Sequence, residues 1–186
     1  MSAANTFSPS TLTSANFASP LSFKFVVKRL PAVSYFAQSV EIPEVRTPSI
    51  RVPSPFGNLP KPGNELEWSP LMLTFKVDER LQNYIELHTW LVATGHPITF
   101  DDTKNFIAAN PAWSPRGRGG ATAADFVSDA TLFVFTGQKN PMIEVNFLDA
   151  FPIQVSAVRF DATAVDVAYL ECTAVFSYRA YIFTDL

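Results

Sequence analysis

Most of the chemistry that would mark an enzyme is scarce in this chain. One cysteine, Cys172, stands among 186 residues, which excludes an internal disulfide and a cysteine-based zinc site. Folding in a reducing cytoplasm is therefore expected. There are two histidines, His88 and His96, and they lack the paired spacing of a helical metal site. Charged residues make up only 17% of the chain and the net charge is −3. A general nucleic-acid binder needs a basic face, so that class is disfavoured. Residues 1–20 have no basic start followed by an apolar core, and a secretory signal is not expected. No apolar run reaches the length of a membrane span, so no membrane anchor is expected.

Apolar and aromatic residues are plentiful. Hydrophobic residues account for 47% of the chain, with 17 Phe and 15 Pro. Aromatics favour half-buried pleated positions, and proline forbids long helices where it recurs. With 186 residues, one domain with a useful core is the default.

The best-defined stretch runs from Pro62 to Gly95. After a Pro-Gly turn, Leu71, Leu73, Phe75 and Val77 alternate with Met72, Thr74 and Lys76, the pattern of a half-buried strand. The period then changes from two to 3.6. Asp78 is placed as the helix N-cap, with Glu79 in the first turn. Leu81, Tyr84, Ile85, His88, Leu91 and Val92 form one apolar stripe, read as the packed face. Gly95 and Pro97 close the helix.

Around this unit the reading is mainly β. Residues 1–19 form a low-complexity arm that cannot offset its own ordering entropy. Leu21 to Lys28 alternates, with Leu21, Phe23, Phe25 and Val27 inward. After a turn at Arg29-Leu30-Pro31, Tyr35 to Ile42 reads as the next strand, with Val40 and Ile42 on the buried side. From Glu44 to Pro62 prolines interrupt two extended segments, bridged near Gly57-Asn58. Proline confines such segments to edges, so a hairpin projecting from the body is expected. Its edges must be protected or paired with another chain. Residues 99–128 carry Arg116-Gly117-Arg118-Gly119-Gly120 and read as a long loop. Strands are expected over Asp129–Thr136, Met142–Phe147, Phe151–Phe160 and Val165–Phe183. In the last of these, Leu170, Cys172, Ala174, Phe176, Tyr178, Ala180 and Ile182 share one face.

The fold class that follows is mainly β. It is an antiparallel β-sandwich or barrel with one flanking helix (about 79–94) and a projecting hairpin (about 44–68). Residues 20–186 form the single domain behind the arm.

No constellation supports catalysis. His88 is read as packed and Cys172 as a small core hydrophobe. Asp101-Asp102 reads as a turn cap, and Glu65 with Glu67 as a solvated or lumen-facing edge of a strand. The Arg-Gly run lacks the Lys-Ser/Thr ending of a phosphate loop and reads as a flexible loop. An enzyme is not expected, and no catalytic, cofactor-binding or metal-binding residue is assigned.

The run Pro62-Gly63-Asn64-Glu65-Leu66-Glu67-Trp68, then Leu71 to Glu79, resembles the tail tube proteins of contractile-tailed bacteriophages of the T-even type. Phe23 to Val27 followed by Gln38 to Pro43 is similar to the family's opening strands. Phe151 to Phe160 and then Leu170 to Tyr181 is similar to its closing hairpin. The resemblance implies a structural virion protein of the viral tail, forming homohexameric rings that stack into a tube. The implied partners are copies of the chain itself, the tail sheath, the tape measure protein and the baseplate. Genome DNA would pass through the lumen at ejection without specific binding. Ser49, Arg51, Glu65, Glu67 and Glu171 are the candidate lumen residues under that implication, giving an acidic wall that lets DNA slide. The long arm and the Arg-Gly loop leave two placements open: the repeated tube subunit, or an initiator or terminator ring at one end, with the baseplate side favoured. A monomeric β-barrel binding module is the alternative from a different class.

Overall fold

A computed structural model of the chain describes residues 20–55, 57–95, 127–161 and 169–186. The expected arm at 1–19, Phe56, and nearly all of the 99–128 loop lie outside the described residues. So do His96, Asp101-Asp102 and the Arg-Gly run.

The body is two antiparallel sheets that share their longest strand. In chain order the strands are β1 (Phe23–Val27), β2 (Ala37–Val40), β3 (Val45–Arg46), β4 (Ser49–Ser54), β5 (Gly57–Pro62) and β6 (Glu67–Trp68). They continue with β7 (Leu71–Lys76), β8 (Ser128–Phe135), β9 (Pro141–Val155), β10 (Glu171–Ser177) and β11 (Ala180–Asp185). Two helices are described, α1 (Pro31–Tyr35) and α2 (Gln82–Gly95). The first half of β9 lies between β8 and β11, and β1 lies beyond β8. The second half of β9 pairs with β10, followed by β7 and β2. The arrangement is a β-sandwich, with β3–β6 and β4–β5 as separate two-stranded pairs.

Period-two burial places the core between the sheets. Phe25, Leu132 and Val145 are buried in one register row, and Val27, Ala130 and Phe147 in another. From the facing sheet come Leu71, Leu73 and Phe75 on β7, with Cys172, Ala174 and Phe176 on β10. These are the inward positions expected for β1 and β7. Leu21 is 90% exposed and does not belong to the buried set.

Several local expectations are corrected. Pro31 starts helix α1, because its fixed φ suits the first helical position. The next strand is therefore only Ala37–Val40, and Ile42 is exposed. Met142–Phe147 and Phe151–Val155 belong to one 15-residue strand. Leu148-Asp149 does not break it, because Asp149 takes φ 54° and lets the strand bend from one sheet into the other. The final strand is instead divided at Tyr178-Arg179, at the level of that bend. Arg179 pairs with Asp149 at 3.1 Å, and its N–H donates to the Leu148 carbonyl at 3.0 Å. The division shifts the parity of inward side chains. Cys172, Ala174, Phe176 and Tyr178 face the core, but Tyr181 and Phe183 follow them, not Ala180 and Ile182.

The flanking helix is present, with a different start and a different packed face. Leu81 has φ 55°, and its N–H closes a turn on the Asp78 carbonyl at 2.8 Å. The helix begins only after that turn, too far along for Asp78 to cap it. Asn83 is the fastener. It is fully buried, its Oδ1 accepts from the N–H groups of Asp78 and Tyr84, and its Nδ2 donates to the Lys76 carbonyl at 2.8 Å. Asn83, Leu87, Trp90 and Ala93 form the buried face. His88 is exposed and lies stacked near Tyr84, so its reading as a packed residue is overturned. The helix carries two apolar faces, and the core takes the one bearing Trp90.

Candidate assembly surface

The projecting hairpin is built as an arm with a base. β4 and β5 pair from Ser49↔Pro62 to Ser54↔Gly57. Gly57 takes φ 139°, a conformation that L side chains rarely adopt, and Ser54 Oγ donates to its carbonyl at 2.7 Å. At the other end the Gly63 N–H donates to the Pro48 carbonyl at 2.8 Å. A Cβ on Gly63 would meet that oxygen at 2.6 Å, so only glycine fits the close approach of the two legs.

Below this point β3 pairs with β6, Val45 opposite Trp68 and Arg46 opposite Glu67. The base is tied to the body by two tyrosines. Tyr178 Oη donates to the Ser69 carbonyl at 2.7 Å, and Tyr181 Oη donates to the Pro43 carbonyl at 3.2 Å. Ser69 N–H joins the legs through the Glu44 carbonyl at 3.0 Å. Trp68 meets Tyr181 edge-on at 4.9 Å, and Phe147 meets Tyr178 edge-on at 5.2 Å. Burial, with the neighbouring Tyr181 as a lesser cause, pushes the Tyr178 phenol up to about 12. Burial also raises Tyr181.

The prolines of the arm sit with a definite parity. The Gly63–Pro48 bond makes Ile50↔Lys61, Val52↔Leu59 and Ser54↔Gly57 the hydrogen-bonded pairs. Pro53, Pro60 and Pro62 fall on the alternate pairs, where the backbone nitrogen points away from the partner strand. The ladder is therefore intact. The outer edge of β4 keeps the Ser49 and Arg51 N–H groups, while that of β5 keeps one, at Asn58. The β5 edge is blunted against strand addition. The arm's faces are another matter. Ile50 and Leu59 are more than half exposed, and they share one face with Val52 and Lys61. A lone two-stranded hairpin is marginal in water, so this face calls for a cover.

A second open feature belongs to the body. In the sheet β1-β8-β9-β11 the two outer strands have no strand partner on their far sides among the described residues. At the β1 edge the Val27 N–H donates to Ser34 Oγ at 2.9 Å. The face of this sheet turned away from the core runs in rows. One row is Lys24, Phe133, Glu144 and Thr184; the next is Val26, Thr131, Asn146 and Ile182. Thr131 Oγ1 donates to Asn146 Oδ1 at 2.8 Å, and Lys28 pairs with Asp129 at 2.8 Å.

The five candidate lumen residues lie elsewhere. Ser49 and Arg51 are on the proline-bearing face of the arm, Glu65 and Glu67 at its base, and Glu171 at the start of β10 in the other sheet. All five are exposed, and Glu65 precedes β6 instead of sharing a strand with Glu67. The outward rows were not legible in the sequence, because their positions read simply as solvent faces of separate strands.

The remaining chemistry-bearing groups are structural. Cys172 is buried and contacts the Ser156 carbonyl and hydroxyl at 3.6 and 3.5 Å. Burial raises its thiol, which disfavours the reactive thiolate. Glu86 has one oxygen shielded and unpartnered on α2, and burial raises its carboxyl. Among the described residues no group of three or more His, Cys, Asp or Glu side chains has the geometry of a metal site. No described helix is long and apolar enough to cross a membrane.

Comparison with known proteins gives a consistent direction. No family model matches the chain. The chain is 27% identical over 149 residues to the tail tube terminator protein of Enterobacteria phage T4, covering 78% of this chain and 74% of that protein. Its fold is similar to a chain of the sheath–tube complex of an extracellular contractile injection system in the extended state. That match has TM-score 0.58 and 14% identity, over 97% of this chain and 99% of the other. It is also similar to a chain of the tube-terminating cap of the anti-feeding prophage. There the TM-score is 0.57 with 12% identity, over 95% of this chain and 96% of the other.

Proposed function

The chain is a relative of the tail tube family, and from that premise we propose that it is a structural ring subunit of a contractile tail tube. The observation that carries this reading is the four-stranded sheet whose two outer strands have no far-side strand partner among the described residues. Its strands alternate in direction, and their number is even. Rotation therefore sets β11 of one copy antiparallel to β1 of the next without breaking the alternation. A heterologous contact of that kind closes into a ring when the rotation fits. Closure removes the edges that would otherwise invite aggregation. Six copies is the count that the family resemblance implies.

In such a ring the outward rows of the sheet become the lumen wall. Lys24 and Glu144 share a row, and Lys28 is paired with Asp129, so the wall is nearly balanced in charge, with Val26, Phe133 and Ile182 between its polar positions. This replaces the acidic wall expected from Glu65, Glu67 and Glu171. A balanced wall offers DNA no counterion-releasing cluster to bind, which suits passage at ejection without specific contact. The sheath, tape measure protein and baseplate are the proposed neighbours, and the virion tail is the proposed location.

The likeness to a terminator, spanning 149 residues, favours an end ring over the repeated subunit. Purified protein examined by native mass spectrometry and negative-stain imaging tests both levels. Single six-membered rings are expected. Stacked tubes would transfer the reading to the repeated subunit, and a monomer at every concentration would remove it.

A further inference from the structure

The arm is rooted in one sheet and held by the other. Its covalent roots are β2, which ends at Val40, and β7, which begins at Leu71, and these strands pair with each other. The phenols that hold it come from the facing sheet. Tyr181 is on β11, and Tyr178 stands at the division between β10 and β11. We propose that Tyr178 and Tyr181 form a two-point latch that couples the outer strand β11 to the arm, so that a change at either is felt at the other.

The bonding joins the two contacts into one unit. Tyr181 Oη donates to the Pro43 carbonyl on the incoming leg, and Tyr178 Oη donates to the Ser69 carbonyl on the outgoing leg. At the same level the legs are tied to each other, because the Ser69 N–H donates to the Glu44 carbonyl. One leg therefore cannot swing away without straining the bond on the other.

The rings make the same connection. Trp68 of the arm base meets the Tyr181 ring at 4.9 Å and the Tyr178 ring at 6.4 Å, both edge-on. Both tyrosines also meet Phe147, which is fully buried on β9 directly opposite Tyr181. Tyr181 continues the cluster along β11 to Phe183 at 5.4 Å.

The latch is weak enough to open while the sandwich stays folded. A neutral hydrogen bond biases the held state by only about fivefold, and an edge-to-face ring pair by about threefold. β11 itself has a strand on one side alone among the described residues. Where two loosely held elements share one cluster, ordering the first lowers the cost of ordering the second. A strand added at the far edge of β11 would on this account stiffen the arm. That last consequence rests on the ring reading, while the coupling itself belongs to one subunit.

Hydrogen exchange read by mass spectrometry tests the coupling, at a concentration where sedimentation gives parent and variants the same size. Tyr178→Phe and Tyr181→Phe each keep the ring and remove one donor. Each should speed exchange in both legs, residues 43–48 and 64–69, by about fivefold. β1, the outer strand away from the latch, should not change. Two independent contacts give another pattern, in which Tyr181→Phe moves only the first leg and Tyr178→Phe only the second; that pattern overturns the proposal. The converse variant is Trp68→Leu, altered on the arm and read on the body. Exchange along β11 should rise by about threefold while β1 stays as it was. An unchanged β11, or an equal rise in β1, overturns the coupling. Should Trp68→Leu lose its native melting transition, Tyr178→Phe supplies the same reading, because Tyr178 lies outside β11 and should still speed its exchange. A result against the coupling leaves the ring reading standing, and a chain that stays monomeric leaves the coupling to be judged by the same exchange data.

Discussion

β7 and the arm strand β4 are both six-residue extended segments, lying within about one strand-pair of each other in the sequence, and they meet opposite fates. On β7 every second side chain is fully buried: Leu71, Leu73 and Phe75. On β4 none is buried, and Ile50 is 54% exposed. Alternation alone does not distinguish them. The difference is supply. β7 has a strand on each side and a facing sheet above it, while among the described residues β4 pairs with β5 alone. A segment with period-two apolar residues and no cover among the described residues is open to a partner.

The sharpest break of this contrast is Phe75→Ala. Phe75 is fully buried on a central strand, so truncation should cost about 3–5 kcal/mol of unfolding free energy, measured by denaturant titration. A loss below about 1 kcal/mol would mean that the β7 environment is not the close-packed core described here.

The next effect acts where the two regions join. Gly63→Val places a branched side chain against the Pro48 carbonyl, which already lies 2.6 Å from the site of a Cβ. Spreading the arm's legs should cost about 1–3 kcal/mol. Proteolysis should begin between residues 44 and 68 while the sandwich stays intact. Cleavage elsewhere would show that the arm base is not the strained point.

Tyr178 ties the arm to the core more gently. Tyr178→Phe removes the bond to Ser69 and should cost about 1 kcal/mol near neutral pH. The alkaline limb is the more specific readout. A phenol held at about 12 in the native state, against an ordinary value of 10.0, favours the protonated form on folding. Its stability contribution is intact below pH 10 and is lost as pH rises through about 12. The parent should destabilise across that window, and the variant should lose part of that dependence, leaving the share of Tyr181. An unchanged alkaline limb would place the titration elsewhere.

The body and the arm were legible in the sequence for different reasons. β1 and β7 announced themselves by strict alternation, because each has one face in the core and one outside. The arm was visible through its prolines, which tolerate extended backbone but not a central ladder. α2 was placed nearly correctly and turned wrongly. Its residues Tyr84, Ile85, His88, Leu91 and Val92 are more continuous as a stripe than Asn83, Leu87, Trp90 and Ala93. Only the tertiary demand of Asn83 on the Lys76 carbonyl decides between the faces. β9 was divided at Leu148-Asp149-Ala150, because an acidic residue before Phe-Pro reads as a turn. Its continuity depends on a left-handed Asp149, a choice made by the two sheets it joins. The outward rows of the four-stranded sheet depend on register between distant strands, which no local pattern contains.

Ile50→Asp is the smallest change for the isolated subunit and the most telling for the comparison. Ile50 faces outward on a two-stranded arm, opposite Lys61. An aspartate there loses no buried contact and gains a cation across the strand pair, so the melting free energy should move by no more than about 0.5 kcal/mol. Yet the same carboxylate would have to be desolvated if the face is covered by another copy. Subunits should therefore stay folded and fail to assemble, judged by an unchanged melting transition together with loss of the large species in light scattering. Intact rings from this variant would mean that the arm's apolar face remains in water, and the contrast between β7 and β4 would then reflect only where the chain ran out of strands to pair.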